Sequence, residues 1–199
     1  MSTAIISDIA TVQMGYSFRS RLEASENGNI AVIQMKDLLD DNSVDFSGLM
    51  RIDMHNLKEQ HFVRRGDLVF RSRGQVNTSA VIRDNPGKSV IAAPLLRIRI
   101  TNFKNVLPEY LNWYISQADA QRYLTSVQAG TSVNMIRSKE LEEMPVHLPS
   151  LKMQNNIVEL AALSAGERMI LSALAEKRGR YISVLLMQLA KEDQNDETS

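Results

Sequence analysis

No cysteine occurs in the 199 residues, which excludes a disulfide framework, a thiolate zinc site and a thiol nucleophile. Net charge is absent too, with 23 basic residues against 23 acidic ones. The opening MSTAIISDIATVQMG lacks a basic stretch followed by a long apolar run, and no uninterrupted apolar segment approaches the roughly 18 residues of a membrane span. A soluble, cytoplasmic chain without membrane contact is therefore expected. Apolar residues make up 44% of positions, enough for a real core, and at about 100 to 200 residues per domain the length corresponds to one domain with an appendage.

The zero net charge conceals an uneven distribution. Arg51 to Lys104 holds eleven Lys/Arg against four Asp/Glu, an excess of seven. Four aspartates between Asp37 and Asp45 and an acidic tail from Lys191 offset it, while Asn105 to Ala190 balances eight against eight. Such a segment is either a solvated face or a footprint for a polyanion.

Punctuation along the chain divides it into a sheet-rich section and a helical one. Ala4 to Val12 reads as a short amphipathic helix or an opening strand, and Gly15-Tyr16-Ser17-Phe18-Arg19 as a turn. Ile30 to Gln34 is a strand candidate, Asp37 to Asn42 a turn, and Gly66-Asp67 a turn feeding the apolar Leu68-Val69-Phe70. Ser79 to Arg83 and Ser89 to Ala93 flank the turn Asp84-Asn85-Pro86-Gly87, and Leu95 to Ile100 alternates as a half-buried strand would. Pro108 can open a helix through Leu124, with Leu111, Tyr114, Ile115, Ala118 and Tyr123 at helical spacing. Gly130 to Asn134 is a polar loop, and Ser138 can cap a short helical turn with Leu141 on its apolar side.

From Leu151 to Glu192 there is no proline, and Ile157, Leu160, Leu163, Ile170, Leu171, Leu174, Tyr181, Val184, Leu185 and Leu189 form a broad apolar stripe. At 1.5 Å per residue this is a rod of roughly 55 to 60 Å, longer than a small globular body covers. It needs a partner. One heptad register puts Ser164, Glu167 and Arg178 in the seam, so a strict coiled coil is disfavoured against a helix that packs on several surfaces. Two helices broken near Ser164-Ala165-Gly166 is the alternative. The fold class expected is α+β: a mainly β domain with peripheral helices over residues 1–150, a long helix over 151–192, and a disordered acidic tail over 193–199.

Catalytic signatures are missing. Gly87-Lys88-Ser89 would suit a phosphate-binding loop, but the glycine required five places earlier is Ile82. His55, His61 and His147 lack metal-site spacing, and satisfied surface or core roles are expected for them. No second carboxylate with lysine follows Asp67 at nuclease-like spacing, which leaves turn capping as its expected role. There is neither an Asn-Pro-Pro-aromatic sequence for amino-group methylation nor a dinucleotide-binding glycine fingerprint.

Taken in order, these segments resemble the specificity subunit of type I restriction-modification systems, in a half-length form. Ile6-Ser7-Asp8-Ile9-Ala10 before Met14-Gly15-Tyr16-Ser17-Phe18 resembles its opening region, and Ile30 to Leu38 its following strand and step. Val63-Arg64-Arg65-Gly66-Asp67-Leu68-Val69-Phe70-Arg71-Ser72-Arg73-Gly74 is similar to its "L-x-x-G-D-L-L-F-x-x-R-G" signature. Pro108-Glu109-Tyr110-Leu111-Asn112-Trp113-Tyr114 resembles its "P-x-Y-L-x-x-Y/W" helix, and Leu148 to Ile157 its "L-P-x-L-x-x-Q-x-x-I" junction.

The resemblance implies a non-catalytic target-recognition domain that reads DNA bases, followed by a helix that acts as spacer and docks the modification subunit. Members usually carry two such repeats, holding two readers apart on a bipartite target. One repeat here implies a homodimer through the helix, and a palindromic split site. S-adenosylmethionine and ATP would belong to the methyltransferase and restriction/translocase partners, so neither cofactor nor metal is expected on this chain. A protein-interaction scaffold without sequence-specific DNA binding is the competing reading.

Under the resemblance, Arg64, Arg65, Lys88 and Lys104 are the expected phosphate contacts, lying near turns or strand ends. Arg71, Arg73, Gln75 and Asn77 leave the Phe70 strand at alternate positions and are expected on one face. There Arg71 or Arg73 can address guanine O6/N7, and Gln75 or Asn77 adenine N6/N7. Tyr16, Arg19 and Arg21, with Thr131, Ser132 and Asn134, are further DNA-facing candidates. Ile157, Leu160, Leu171, Leu174, Tyr181, Leu185 and Leu189 are expected to face a second helix.

Overall fold

A computed structural model describes residues 2–18, 22–39, 41–74, 77–128 and 135–196. It divides into two compact units, Met1–Ile157 and Val158–Ser199.

The first unit is built on three small sheets. Ala4 to Val12 is neither one helix nor one strand: β1 (Ser2–Ile5) leads through a single helical turn, α1 (Ile6–Ile9), into β2 (Ala10–Met14). Asp8 ends the first strand by accepting the Ile5 N–H at 3.1 Å. β1 pairs antiparallel with β9 (Pro145–Leu148), joining the two ends of the unit.

The remaining strands are β3 (Ile30–Ile33), β4 (Met50–Ile52), β5 (Leu68–Phe70), β6 (Ser79–Val81), β7 (Ser89–Ile91) and β8 (Leu96–Ile100). They form an antiparallel sheet in the order β2-β8-β5-β6 and a second sheet, β4-β3-β7, in which β3 and β7 run parallel. The two strands expected on either side of residues 84–87 are present as β6 and β7, and they belong to different sheets. β3 is apolar at every position because both its faces are covered. Ile33 enters one cluster with Val69, Ile82, Ile91 and Leu95, and Ile30 and Val32 enter another with Ile52 and Val90.

The helix expected from Pro108 to Leu124 is two, α2 (Pro108–Ile115) and α3 (Ala118–Gln128), with Pro108 in the first turn of α2, where its missing N–H costs nothing. Ser138 does not cap α4 (Ser138–Glu142): Arg137 precedes the helix, and its N–H donates to the Glu140 carboxylate at 2.8 Å. Leu141 is fully buried as expected.

α5 runs unbroken over Leu151–Asp196, so the alternative of two helices fails at Ser164-Ala165-Gly166. A helical glycine costs only about 1 kcal/mol, and Gly166 and Gly179 sit in open space. At 1.5 Å per residue the 46 residues span about 69 Å. The helix continues through 193–196, four residues into the expected tail; 197–199 lie outside the described residues. Its first turns belong to the first unit, which therefore ends at Ile157 rather than at residue 150. In the second unit Leu160, Leu171, Leu174, Tyr181, Leu185 and Leu189 are exposed, while Ile157 is half-buried. No described helix is long and apolar enough to cross a membrane.

Candidate nucleic-acid interface

The chain enters β5 through the turn Arg64-Arg65-Gly66-Asp67. The Asp67 N–H donates to the Arg64 carbonyl at 3.0 Å, and Gly66 holds φ +87°, the left-handed conformation a type II turn requires at its third position. Asp67 is 2% exposed and accepts the Arg64 N–H at 2.8 Å, which is the capping role expected of it. Its carboxylate does more. The β5–β8 register pairs Leu68 with Ile98, and one step further Asp67 faces Arg99. Arg99 Nε and Nη2 each donate to one carboxylate oxygen at 2.7 Å, a side-on ion pair. The hydrogen bond to Asp67 raises the Arg99 pKa, against the opposing effect of burial.

Arg97, two residues earlier on the same face of β8, is 6% exposed and pairs with no carboxylate among the described residues. Its Nη1 donates to the Gln60 and Phe62 carbonyls at 2.6 and 3.2 Å, and its Nη2 to Gln13 Oε1 at 2.6 Å. Burial, then the neighbouring Arg99 charge, lowers its pKa, opposed by Asp67. Both arginines thus turn inward.

Beside this turn lies a shallow cleft of about 300 Å³ whose rim carries Arg64, Arg65 and Lys88, all exposed. The Lys88 side is shaped by Asn85-Pro86-Gly87, where Asn85 Oδ1 accepts the Gly87 N–H at 3.0 Å and Gly87 takes φ +59°. The two sides are tied by the Val63 N–H, which donates to the Ser89 carbonyl at 3.0 Å. Glu59 approaches Arg64 at 3.6 Å, but both side chains are largely in solvent, where such a pair contributes about 0 to 1 kcal/mol and exchanges readily for another anion. Three of the four residues expected to contact phosphate are therefore neighbours. Lys104 is also exposed but borders a separate depression with Asn105 and Ser150.

The row of base readers does not form as expected. The strand ends at Phe70, and with it the alternation that would align Arg71, Arg73 and Asn77. Arg71 is half-buried, its Nη2 donating to the Met35 and Leu38 carbonyls at 3.2 and 3.0 Å. Asn77 is 3% exposed, donates to the Arg71 carbonyl at 3.1 Å and accepts from Gln128 Nε2 at 2.9 Å. It braces the interior instead of presenting an amide to solvent. Of Arg71, Arg73 and Asn77, Arg73 alone is exposed, its backbone bridged to Met135. Tyr16 is half-buried and stacks against Phe18 and His61, with ring centroids at 4.9 and 5.4 Å. Arg19, Arg21, Gln75, Thr131, Ser132 and Asn134 lie outside the described residues.

Sequence reasoning missed the structural duty of Arg97 and Arg99, counting them only as part of the basic excess. The available signal was an aspartate after a turn glycine together with two arginines at alternate positions of a strand. His55 is exposed, and His147 packs edge-on against Tyr114 and contacts Thr3 Oγ1 at 3.2 Å. No group of three or more potential metal ligands occurs among the described residues.

The first unit is thus an α+β body that carries a basic cleft. Residues 2–164 match the family model of the type I restriction modification DNA specificity domain, and the chain belongs to that family. No curated protein matches the sequence. Among solved structures, a chain from work on complex assembly and conformational transition of the type I R-M system aligns at TM-score 0.61 and 20% identity, covering 86% of this chain and 39% of that one. The HsdS subunit from Thermoanaerobacter tengcongensis aligns at TM-score 0.58 and 20% identity over 86% of this chain and 38% of its own. The type I restriction-modification S subunit from M. genitalium aligns at 0.55 and 11% identity, over 88% and 41%. The chain thus spans about two fifths of the length of these structural relatives, with which it shares the fold.

Proposed function

We propose that the chain is a non-catalytic DNA specificity component of a type I-like restriction-modification complex, reading bases in duplex DNA for a partner adenine methyltransferase. The observation that carries this reading is the cleft that brings Arg64, Arg65 and Lys88 together within a DNA specificity domain. Clustered cations release counterions from the phosphate backbone and position the protein, while exposed donors such as Arg73 supply base discrimination. Two copies pair through the apolar stripe of α5, each contributing one reader to a split palindromic target. Methyl transfer, with extrusion of the adenine, is the partner's work.

The test is duplex binding by the chain with its modification subunit across a series of salt concentrations and target sequences. Salt-dependent binding with sequence preference is expected. Binding that is indifferent to both salt and sequence would replace this reading with that of a protein-interaction scaffold, for which the exposed leucines of α5 are the supporting observation.

A further inference from the structure

We infer that the pair of the buried Asp67 with the half-buried Arg99, assisted by Arg97, is a positioning device for the basic cleft: it holds the backbone of residues 60–65 so that Arg64 and Arg65 present a preformed site to adjoining DNA phosphates. The inference rests on the proposed DNA-binding role of that cleft.

Main-chain groups of Gln60, Phe62 and Arg64 are each held by an ionised side chain. Arg97 takes the Gln60 and Phe62 carbonyls, Arg99 takes the Phe62 carbonyl at 2.9 Å, and Asp67 takes the Arg64 N–H. Both arginines project from β8, the strand next to β5, so the segment is anchored to the centre of a four-stranded sheet. Backbone amides or neutral side chains could satisfy a turn at lower desolvation cost, and an ion pair removed from water is weak evidence for added stability, so the fixed geometry of its side-on contacts is the role assigned to it. Preformed geometry in turn lowers the ordering cost of binding. In this reading Arg97 and Arg99 serve the phosphate footprint indirectly: two of the eleven cations in the basic segment position two others, Arg64 and Arg65.

The experiment uses the full chain and a fluorescent mixed-sequence duplex, comparing Asp67→Asn, the double variant R64Q/R65Q, and their combination at matched folded fraction. Removing a negative charge near a DNA site would by electrostatics alone tighten binding. A positioning role predicts the opposite sign, a loss of roughly tenfold in affinity. That loss should vanish in the R64Q/R65Q background and persist beside Lys104→Gln, which lies at a different depression. Arg99→Lys, which keeps the charge but not the side-on geometry, supplies the same cycle if Asp67→Asn does not fold. Unchanged or tighter binding by Asp67→Asn, or a loss that persists in full in R64Q/R65Q, would overturn the positioning role while leaving the cleft as a DNA contact. If R64Q/R65Q itself binds like the parent, the cleft reading fails and the positioning role with it.

Discussion

Gln154 Oε1 accepts the Leu107 N–H at 2.9 Å, forty-seven residues away, while its amide donates to the Asn105 and Pro149 carbonyls at 2.8 and 2.9 Å. The side chain is completely buried. A residue in the first turn of α5 thus closes the loop that opens α2. Gln154→Leu keeps the volume but leaves three polar groups without partners. Each of the three hydrogen bonds contributes about 0.5 to 1.5 kcal/mol, so a loss of about 2 kcal/mol or more is expected in urea unfolding, with the far-ultraviolet helical signal of the native state retained.

Gly15 is required by space rather than by conformation. A Cβ there would stand 2.7 Å from the Ala92 carbonyl carbon, against backbone that cannot swing aside. Gly15→Ala should destabilise the first unit by about 1 to 3 kcal/mol, read as a lower midpoint in thermal unfolding. Gly48→Ala, with open space around it, serves as the neutral control.

Burial, reinforced by neighbouring Tyr114, pushes the Tyr110 phenol up to about 12 from its ordinary 10.0. The fold thus favours the neutral form, and unfolding releases a proton between these values. Stability is unaffected by this group below about pH 10 and falls as pH rises toward 12. Tyr110→Phe should make that fall shallower. At neutral pH the same substitution should cost about 1 kcal/mol through loss of the 2.6 Å hydrogen bond to the His147 carbonyl. Urea titrations at pH 7, 10 and 11.5 would check both.

Phosphate contact and base contact leave different signatures. Arg65→Gln should weaken binding to all duplexes alike and lower the magnitude of the salt slope by about one. Arg73→Gln should chiefly relax one position of the recognised sequence, with about 1 to 3 kcal/mol of discrimination lost there. Binding titrations over a panel of single-base target variants, in the presence of the modification subunit, separate the two.

Leu171→Asp and Leu174→Asp place charge on the exposed apolar stripe of α5. Multi-angle light scattering should find the parent near twice 22.4 kDa and these variants at the single-chain mass, with unfolding of the first unit unchanged. A parent of single-chain mass at micromolar concentration would remove the basis for a symmetric target.

Legibility followed locality. The turn at Gly66-Asp67 was readable because a glycine and a capping aspartate stand side by side before an apolar run, while its type came from the structure. The α5 span was readable because nothing in it breaks a helix. The division of α2 from α3 was not, since apolar residues continue at helical spacing across Ser116 and Gln117. The placing of β6 and β7 in different sheets was not legible, because a turn between two strands does not say which sheet receives the second.

The absence of thiol chemistry, the basic segment and the long helix are properties of composition and local pattern, and the sequence determines them without the fold. Tertiary structure alone decides which cations face outward. Arg65 and Arg99 are indistinguishable as charges in a string, but Arg99 meets a buried carboxylate thirty-two residues away across the β5–β8 register, and Arg65 sits at the tip of a turn. Turning an arginine inward is tolerable only where acceptors already wait, the Asp67 carboxylate for Arg99 and the Gln60 and Phe62 carbonyls with Gln13 for Arg97, and that depends on strand pairing that no local pattern encodes.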